Sequence, residues 1–422
     1  MKRIYLDYAA STPLAPEVKN TLVSYLKSNK NFGNPSSLHF FGQKEKAIID
    51  ESRELIAQKL GAQFEEIIFT AGATEANNLA LQGVVKGFKK FFGRNIYPRL
   101  IVSAIEHSSV LETASALEKE NVEVVFLPVD KNGFVNLAKL KEALNERTIL
   151  VSIMYVNNEI GTIEPIKEIS EIIQEFKTRF KTPNTSESPK NIIQRSESSK
   201  NIFVNSDKFV VWDRYPLFHT DAVQALQYLN VDVNELNVDL MTLSAHKIYG
   251  PKGIGLLYIK RPKMISPLIF GGPQEFNYRP GTENVLAISG FATAIKTLSF
   301  YQNKELKRIS DLSFYFLKGL KKIYPRLKIN GFPLKSNKRL PHILNISFEG
   351  RNNRDLLIKF DLNNLAISTG SACHAGSFKD SFVLKAMGLS QSRIKSALRF
   401  SFGRFLTFYD IKEALKRIKK LL

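Results

Sequence analysis

Short apolar runs alternate with helix-like stretches through the first half of the chain. The runs lie at 67–69, 100–104, 122–127 and 149–154, and helical periodicity follows the first and the last of them. Such alternation predicts an α/β fold in which helices flank a mostly parallel sheet. Ligands of these sheets bind beyond the carboxyl ends of the strands. Polar residues that follow directly after strands are therefore the first candidates for a functional site.

Four polar residues share that position. Thr74, His107, Asn157 and Asp221 each come soon after a strand-like run. Because the carboxyl ends of parallel strands meet at one edge of a sheet, this shared position indicates a single site more strongly than any one residue does.

The most informative turn lies between two further apolar runs, at 238–243 and 255–259, which are typical of buried strands. The turn carries Ser244, His246 and Lys247. A lysine in a low-dielectric site loses its proton more easily and forms Schiff bases with carbonyl groups, pyridoxal phosphate included. Ser244 and His246 would then be placed to donate hydrogen bonds to a phosphate. A plain Gly/Pro-rich hairpin with an exposed lysine explains the same stretch.

The run at 67–69 leads through a turn of small residues into a helix-like stretch. A strand, a small-residue turn and a helix N-terminus bind phosphate, because free backbone N–H groups and the helix dipole favour an anion. Gly72 and Ala73 would let a phosphate approach, and Thr74 would add a hydroxyl. The alternative is a plain N-cap, which any helix needs.

Asp221 precedes Lys247 and also follows an apolar stretch. If Lys247 binds pyridoxal phosphate, a carboxylate is needed at the pyridine nitrogen to keep that nitrogen protonated, and Asp221 is the best-placed candidate. Gln224, one helical turn further on, would reach the phenolic oxygen of the ring. A helix N-cap is the alternative role for Asp221.

The chain contains one cysteine, Cys373. No internal disulfide can form, which is typical of a reducing compartment. A lone cysteine is either an inert small hydrophobe or a reactive thiol. The residues from 368 to 377 are mostly small, which is typical of a loop rather than a core strand, and this favours the reactive thiol.

The 422 residues carry a formal charge of +20, from 60 basic and 40 acidic side chains. Such a surplus suits a nucleic acid, a membrane surface or an acidic protein partner. The basic residues are spread along the chain without a nucleic-acid motif, so a solvated lysine-rich surface is the simpler interpretation. No apolar run approaches the roughly 20 residues that span a bilayer, and no signal-peptide stretch is evident. We expect a cytoplasmic protein without membrane contact.

The pattern changes twice along the second half of the chain. From about 181 to 214 it is rich in Ser, Asn, Lys and Pro, which indicates a surface insertion. After residue 259 the alternation weakens into predicted helices and strands in short groups, which predict a smaller α+β domain. The predicted elements of that part are helices at 285–300 and 305–323 and strands at 343–348 and 398–401.

Seven motifs give the chain a family resemblance. They are FGNPS at 32–36, FTAGATE at 69–75, VNNEIG at 156–161, HKIYGPKG at 246–253, GTEN at 281–284, STGSAC at 368–373 and LRFS at 398–401. With them the chain resembles the cysteine desulfurases of the NifS/IscS type, within the class V, fold-type I family of pyridoxal-phosphate enzymes. The resemblance extends from the first residues to the final helix, apart from the predicted insertion.

The resemblance implies a fold-type I architecture. A large pyridoxal-phosphate-binding domain, 16–262, would hold a mixed, mostly parallel sheet flanked by helices, with the surface insertion at about 181–214. A smaller α+β C-terminal domain, 263–422, would carry the Cys373 loop. The N-terminal segment, 1–15, would pack with the small domain.

The implied cofactor is pyridoxal 5'-phosphate. Lys247 would bind it covalently and later move protons at the substrate carbon, while His107 would stack on its ring and assist proton transfer. Thr282 would reach the phosphate in the neighbouring subunit of a homodimer. Cofactor contacts are implied for Ala73, Thr74, His107, Asn157, Asp221, Gln224, Ser244, His246, Lys247 and Thr282.

The implied substrate is L-cysteine. Arg399 would clamp its carboxylate, a task that suits the bidentate guanidinium fork, with help from Asn157 and from Asn34, although Asn34 is also a plain turn residue. The Cys373 thiolate would attack the substrate sulfur, alanine would leave, and the resulting persulfide would pass to an acceptor.

The long stretch from Cys373 to Val383 resembles the family's group I, whose long loop delivers sulfur to iron–sulfur scaffold proteins and tRNA-thiolation enzymes. These acceptors are the implied partners, with a transient iron–sulfur contact at Cys373 during transfer. His374 and the residues at 378–380 depart from the commoner residues of this loop, so the choice of acceptor stays open.

Two other functional classes remain as alternatives. A different class V enzyme, such as a selenocysteine lyase or an aminotransferase, would share most of the site, although an aminotransferase needs no thiol at Cys373. A non-catalytic binding protein that keeps the fold would take up no cofactor.

Overall fold

The computed structural model describes residues 2–93, 96–179, 215–260, 265–370 and 380–422. The predicted insertion at 181–214 and the predicted nucleophile Cys373 lie outside the described residues. The strands are β1 (Ile4–Tyr5), β2 (Ile67–Thr70), β3 (Arg99–Ser103), β4 (Glu123–Leu127), β5 (Thr148–Ser152), β6 (Leu217–Asp221), β7 (Leu240–Ser244), β8 (Gly255–Ile259), β9 (Lys328–Asn330), β10 (Ile343–Ser347), β11 (Leu365–Ala366) and β12 (Ala397–Ser401). The helices are α1 (Pro16–Lys27), α2 (Phe40–Leu60), α3 (Ala73–Phe92), α4 (Ser108–Glu118), α5 (Leu137–Ala143), α6 (Ile166–Arg179), α7 (Val233–Leu236), α8 (Val285–Ile323), α9 (Asn353–Leu362), α10 (Phe382–Ala386), α11 (Gln391–Lys395) and α12 (Phe408–Leu421).

The main sheet has the strand order β2-β8-β7-β6-β5-β3-β4. Every neighbouring pair is parallel except the two pairs that β8 makes, with β2 and with β7. Six strands therefore run in one direction and only β8 opposes them. This confirms the predicted α/β fold with a mixed, mostly parallel sheet.

Alternate residues of the strands pack into two separate apolar cores. Ile67 and Phe69 belong to one core and Ile68 to the other, and Ile101 is likewise separated from Leu100. Successive side chains of a strand point to opposite faces, so a continuous apolar run is what a sheet covered on both faces requires. The same runs leave polar residues only at the strand ends.

The C-terminal part contains a second, antiparallel sheet with the order β12-β10-β9. The N-terminal strand β1 pairs with β11 of this part, in the register Ile4 to Leu365. These contacts agree with a large α/β part and a smaller α+β part. The boundaries at 15 and 262 stay a prediction.

Two predicted elements need correction. The helices expected at 285–300 and 305–323 are one helix, α8. The polar residues near 301–304 interrupt the apolar periodicity, but they include no Gly or Pro, so nothing there breaks the backbone. The helix-like stretch after the run at 67–69, which the periodicity predicts at 76–85, is also longer: α3 begins at Ala73, directly after the turn that follows β2, and ends at Phe92.

Candidate functional site

The polar residues predicted from strand ends lie along one edge of the main sheet. The strands β2, β3, β5, β6 and β7 are parallel to one another, so their carboxyl ends share that edge. Thr74, His107, Asn157 and Asp221 all follow these ends within a few residues, as does Lys247. The predicted clustering is therefore realised in the fold.

A chain of hydrogen bonds links Asp221 to His107. The Nδ2 atom of Asn77 donates to Asp221 Oδ2 at 2.9 Å and to Ser109 Oγ at 2.8 Å. The Oγ of Ser109 lies 2.9 Å from His107 Nδ1. Sequence reasoning missed Asn77 and Ser109. The available signal was the spacing of Asn77, one helical turn after Ala73 and hence on the same face of α3.

The Asp221 carboxylate is buried at the end of β6. Its Oδ1 accepts from the backbone N–H of Val223 at 3.0 Å, which is a turn contact, and no helix follows directly. The helix N-cap considered as an alternative is therefore not its role. Its two oxygens are fixed by Val223 and Asn77, so the carboxylate has one defined orientation at the sheet edge.

The side chain of His107 caps α4. Its Nδ1 accepts from the backbone N–H of Ser109 at 3.1 Å. Because that nitrogen is an acceptor, a neutral His107 ring carries its proton on Nε2. The ring is half-buried at the sheet edge.

Lys247 lies in a single 3-10 turn after β7 and is half-buried. Its Nζ donates to the carbonyl oxygens of Ala9 at 2.6 Å and Ala10 at 2.8 Å. The Ala9 carbonyl also accepts from Gln224 Nε2 at 3.0 Å. Lys247 and Gln224 are therefore neighbours through one shared acceptor, which argues against a plain hairpin with an exposed lysine.

The N-terminal residues 7–12 form a wall of the site that sequence reasoning missed. Besides the two alanine carbonyls, Thr12 Oγ1 donates to the His246 carbonyl at 2.9 Å, and Ser11 Oγ lies 3.4 Å from His246 Nδ1. No local pattern indicated this role, since the contacts join residues more than 200 positions apart.

Burial and the charge of Lys247 affect His246. Burial first, and then the neighbouring positive charges of Lys247 and Lys252, lower the pKa of His246 to about 4. His246 is therefore neutral near pH 7 and adds no positive charge of its own beside Lys247. Ser244, the last residue of β7, is buried at the same corner.

The N-terminus of α3 has the features of an anion site. Gly72 is the N-cap residue, and no side chain caps the helix there. A Cβ atom at Gly72 would meet no atom within 4 Å, so the space beside the turn is open. The helix begins at Ala73, and Thr74 is exposed in its first turn. The lack of a side-chain cap suits a phosphate contact, and the plain N-cap stays an alternative.

Arg399 lies on β12 and is buried. One of its terminal nitrogens donates to Asp7 Oδ1 at 2.9 Å, and the other donates to the Asn158 carbonyl at 2.8 Å. Its Nε has no hydrogen-bond partner within the described chain. An unpartnered buried donor of this kind fits a further anion, such as a substrate carboxylate.

Two predicted site residues have other contacts in this structure. The side chain of Asn157 is fully buried and donates to the Ile105 carbonyl at 2.9 Å, while its oxygen accepts from the N–H groups of Glu159 and Ile160. Asn34 is exposed and accepts from the Ser36 N–H at 2.9 Å, as a turn residue does. Their contacts to cofactor and substrate stay predictions.

Thr282 is exposed on the loop between Tyr278 and α8, where the predicted contact to a neighbouring subunit stays untested. The predicted iron–sulfur contact at Cys373 lies outside the described residues. Within those residues, no group of three or more His, Cys, Asp or Glu side chains is placed to hold a metal ion. No described helix combines the length and apolar character needed to cross a bilayer.

These residues fit pyridoxal phosphate. The uncapped start of α3 suits its phosphate, and the Asp221 carboxylate suits a protonated pyridine nitrogen. Lys247 offers an amine in a partly buried turn, and the His107 ring lies at the same sheet edge. The unpartnered Nε of Arg399 provides for a second anion, which an amino acid would bring as its carboxylate.

Comparisons with known proteins agree with a site for pyridoxal phosphate. A family model for class V aminotransferases matches residues 4–190 and 212–414, and the gap between these ranges falls within the predicted insertion. The chain is 41% identical to a cysteine desulfurase IscS of Dictyoglomus turgidum, over 100% of this chain and 95% of that protein. Among solved structures, a NifS-like protein has a TM-score of 0.83 and 30% identity, covering 99% of each chain. The structure of SspA in complex with cysteine has a TM-score of 0.74 and 32% identity, covering 94% of this chain and 98% of that one.

Proposed function

The chain belongs to the class V aminotransferase family and, within it, to the cysteine desulfurases of the IscS type, and from this premise we propose that it converts L-cysteine to L-alanine and forms a persulfide on Cys373. One observation carries the proposal most directly. The N-terminal segment holds Arg399 through the Asp7 side chain and holds Lys247 through the Ala9 and Ala10 carbonyls. The same segment therefore holds Arg399, a cation for the substrate carboxylate, and Lys247, an amine for proton transfer.

Pyridoxal phosphate, when bound, withdraws electrons from the α-carbon of the substrate and so makes its sulfur open to attack. The N-terminus of α3 with Thr74, and Ser244 with His246, would hold its phosphate. Asp221 would keep its pyridine nitrogen protonated, and Gln224 would face its phenolic oxygen. Asn77 keeps the Asp221 carboxylate oriented for this task.

Arg399 would bind the substrate carboxylate and fix the direction in which the thiol group points. The Asp7 carboxylate binds a terminal nitrogen of the guanidinium, and the Nε is left available for the substrate. Lys247, once its amine is free, would remove the proton from the substrate α-carbon and return one to the product. His107, with its proton on Nε2, would assist this transfer.

Cys373 would supply the nucleophile. Its thiolate attacks the substrate sulfur, so that a sulfur–sulfur bond forms while the carbon–sulfur bond breaks. The electron pair of the broken bond stays with the carbon, which takes up a proton and leaves as alanine. The outer sulfur of the Cys373 persulfide is more oxidised than the sulfur of a thiol, so an acceptor thiol or a reductant can remove it.

We also propose that the enzyme is a cytoplasmic homodimer in which Thr282 serves the neighbouring subunit, and that iron–sulfur scaffold or tRNA-thiolation proteins accept the sulfur. The family resemblance of the GTEN motif supports the subunit contact, and that of the long stretch after Cys373 supports these acceptors. Exposed apolar side chains at Phe32, Leu38 and Phe270 suit a subunit contact as well.

The decisive experiment supplies the purified, cofactor-loaded protein with L-cysteine and a reductant. We expect alanine and sulfide to be released in equal amounts. Cys373→Ser should keep the visible absorbance of the bound cofactor and lose sulfide release. Retained turnover in Cys373→Ser would contradict the persulfide mechanism. A coloured protein that forms neither product from cysteine would indicate another substrate, with selenocysteine the first to test.

A further inference from the structure

Glu159 is a buried carboxylate that the proposed reaction does not use. It follows Asn157 and Asn158 in the turn after β5, and its side chain is almost fully enclosed. Its backbone N–H donates to Asn157 Oδ1 at 2.9 Å, and its carbonyl accepts from Asn345 Nδ2 at 3.3 Å. The main chain at Glu159 is therefore fixed from two sides.

The Glu159 carboxylate lies beside both residues that flank the segment containing Cys373, Gly370 before it and Ser381 after it. On the C-terminal side, Ser381 Oγ donates to Glu159 Oε2 at 2.6 Å. On the N-terminal side, Gly370 passes so close that a Cβ atom there would lie 2.8 Å from the same oxygen. Gly370 also has φ +94°, in the left-handed region that favours glycine. The close approach and the backbone conformation both require a glycine here.

The N-terminal end is also joined to the proposed substrate arginine. The backbone groups of Ser368 and Arg399 exchange two hydrogen bonds, at 2.7 and 3.2 Å. Gly370 N–H donates to Ser368 Oγ at 3.1 Å, and Arg399 donates to the carbonyl of Asn158, the residue before Glu159. The arginine, the two ends of the segment and Glu159 thus form one connected group.

The Glu159 side chain accepts a hydrogen bond in a buried position. Burial raises the pKa of Glu159, whereas the hydrogen bond from Ser381 and the nearby guanidinium of Arg399 act in the opposite direction. A buried carboxylate that accepts from a hydroxyl is a strong hydrogen-bond acceptor. The contact to Ser381 is therefore more than an incidental surface contact.

We infer that Glu159 is a positioning residue for the Cys373 segment: it holds the C-terminal end through Ser381, and it packs closely against Gly370 at the end that Ser368 joins to Arg399. This inference rests on the proposed function. When both ends of a short segment are fixed, they limit the volume that its side chains can reach, and so they set the effective concentration of a thiol at a bound substrate. Loosening one end should slow the attack on the substrate sulfur without changing how cysteine binds.

The chain offers a matched pair of variants. Ser381 and Ser390 are the N-caps of two five-residue helices, α10 and α11, and each Oγ accepts from a backbone N–H of its own helix. Only Ser381 also donates to Glu159. Ser381→Ala and Ser390→Ala therefore each lose an N-cap hydrogen bond, and only the first loses the contact to Glu159.

The test measures the single-turnover rate of persulfide formation on Cys373 by mass spectrometry of quenched holoenzyme, with KM for L-cysteine measured alongside. Glu159→Ala and Ser381→Ala should slow persulfide formation by about tenfold while KM stays within about twofold. Ser390→Ala should behave like the unaltered protein, and Ser381→Thr, which keeps the hydroxyl, should recover most of the rate.

Different outcomes separate the inference from the function on which it rests. If the unaltered protein forms no persulfide from cysteine, the proposed function fails. If it does and Glu159→Ala matches its rate, the positioning role alone is overturned. Equal losses in Ser381→Ala and Ser390→Ala, or a fall in rate that follows loss of cofactor absorbance, would also overturn it, because they indicate general destabilisation.

Discussion

The two halves of the candidate site are built in different ways. The lysine half starts from strand ends of the main sheet: Asp221 is the last residue of β6, Gln224 follows it, and Lys247 lies in the turn after β7. The arginine half joins Arg399 of the small antiparallel sheet to Asp7 of the N-terminal segment, 392 positions away. Both halves contact the N-terminal segment, but only the first starts from paired strands of the main sheet. Cofactor binding and substrate binding should therefore be separable by mutation.

The largest effect is expected in the lysine half. Lys247→Ala should abolish the visible absorbance of the bound cofactor and lower the turnover of cysteine by about 10³-fold or more, because the residue both binds the cofactor and moves protons. Absorbance spectra and alanine release measure the two effects. Lys252→Ala is the matched control, since Lys252 is exposed in the same turn. A persistent cofactor band in Lys247→Ala would contradict the assignment of the lysine.

The arginine half should respond differently. Arg399→Lys keeps the charge but loses the planar fork, so KM for L-cysteine should rise by about 30-fold, which corresponds to about 2 kcal/mol for a charged hydrogen bond. The absorbance of the bound cofactor should stay unchanged. Steady-state kinetics and spectra of the same preparation test both statements.

The exposed Arg351 is a suitable control, and Arg351→Lys should alter neither KM nor the spectrum. If Arg399→Lys instead released the cofactor with no change in KM, the division into two halves would be wrong.

This difference also explains what could be predicted from the sequence. Asp221 and three other polar residues follow apolar runs, so the alternation of strands and helices was enough to predict one sheet edge for them. Lys247 was identified from the turn between two further apolar runs. The roles of Asp7, Asn77 and Glu159 could not be predicted locally. They arise from contacts between elements far apart in the chain, and each of these residues is by itself an ordinary polar residue of a turn or helix. Arg399 was recognised only through the family resemblance of its LRFS motif.

The same limit applies to the fold. The main sheet could be predicted because parallel strands have continuous apolar runs of recognisable length. The 39-residue helix α8 was divided in two because the polar residues near 301–304 interrupt its apolar periodicity. The helix packs on α1, α2 and α12, and residue patterns do not reveal these partners.

The smallest expected effect concerns a buried histidine in each half. His219 on β6 lies with Nδ1 2.8 Å from Ser152 Oγ and Nε2 3.1 Å from Thr242 Oγ1, and burial lowers its pKa to about 3. An unfolded histidine titrates near pH 6.5. Between these values the unfolded chain binds a proton that the folded chain does not, so stability falls as the pH is lowered through 6.5. From pH 7.5 to 5.5 the loss due to His219 should be about 1.4 kcal/mol of unfolding free energy.

Urea unfolding followed by circular dichroism at the two pH values measures this loss, and His219→Gln should reduce it by that amount. His342 in the arginine half behaves alike, but burial together with the charges of Arg399 and Arg339 lowers its pKa to about 3. Because His342, Arg399 and Arg339 are all buried, salt screens these charges only weakly, and the contributions of His342 and His219 should depend on salt to the same small extent. A strong salt dependence in His342→Gln alone would show that the charges around His342 are open to solvent, and that the two halves differ electrostatically as well as in connectivity.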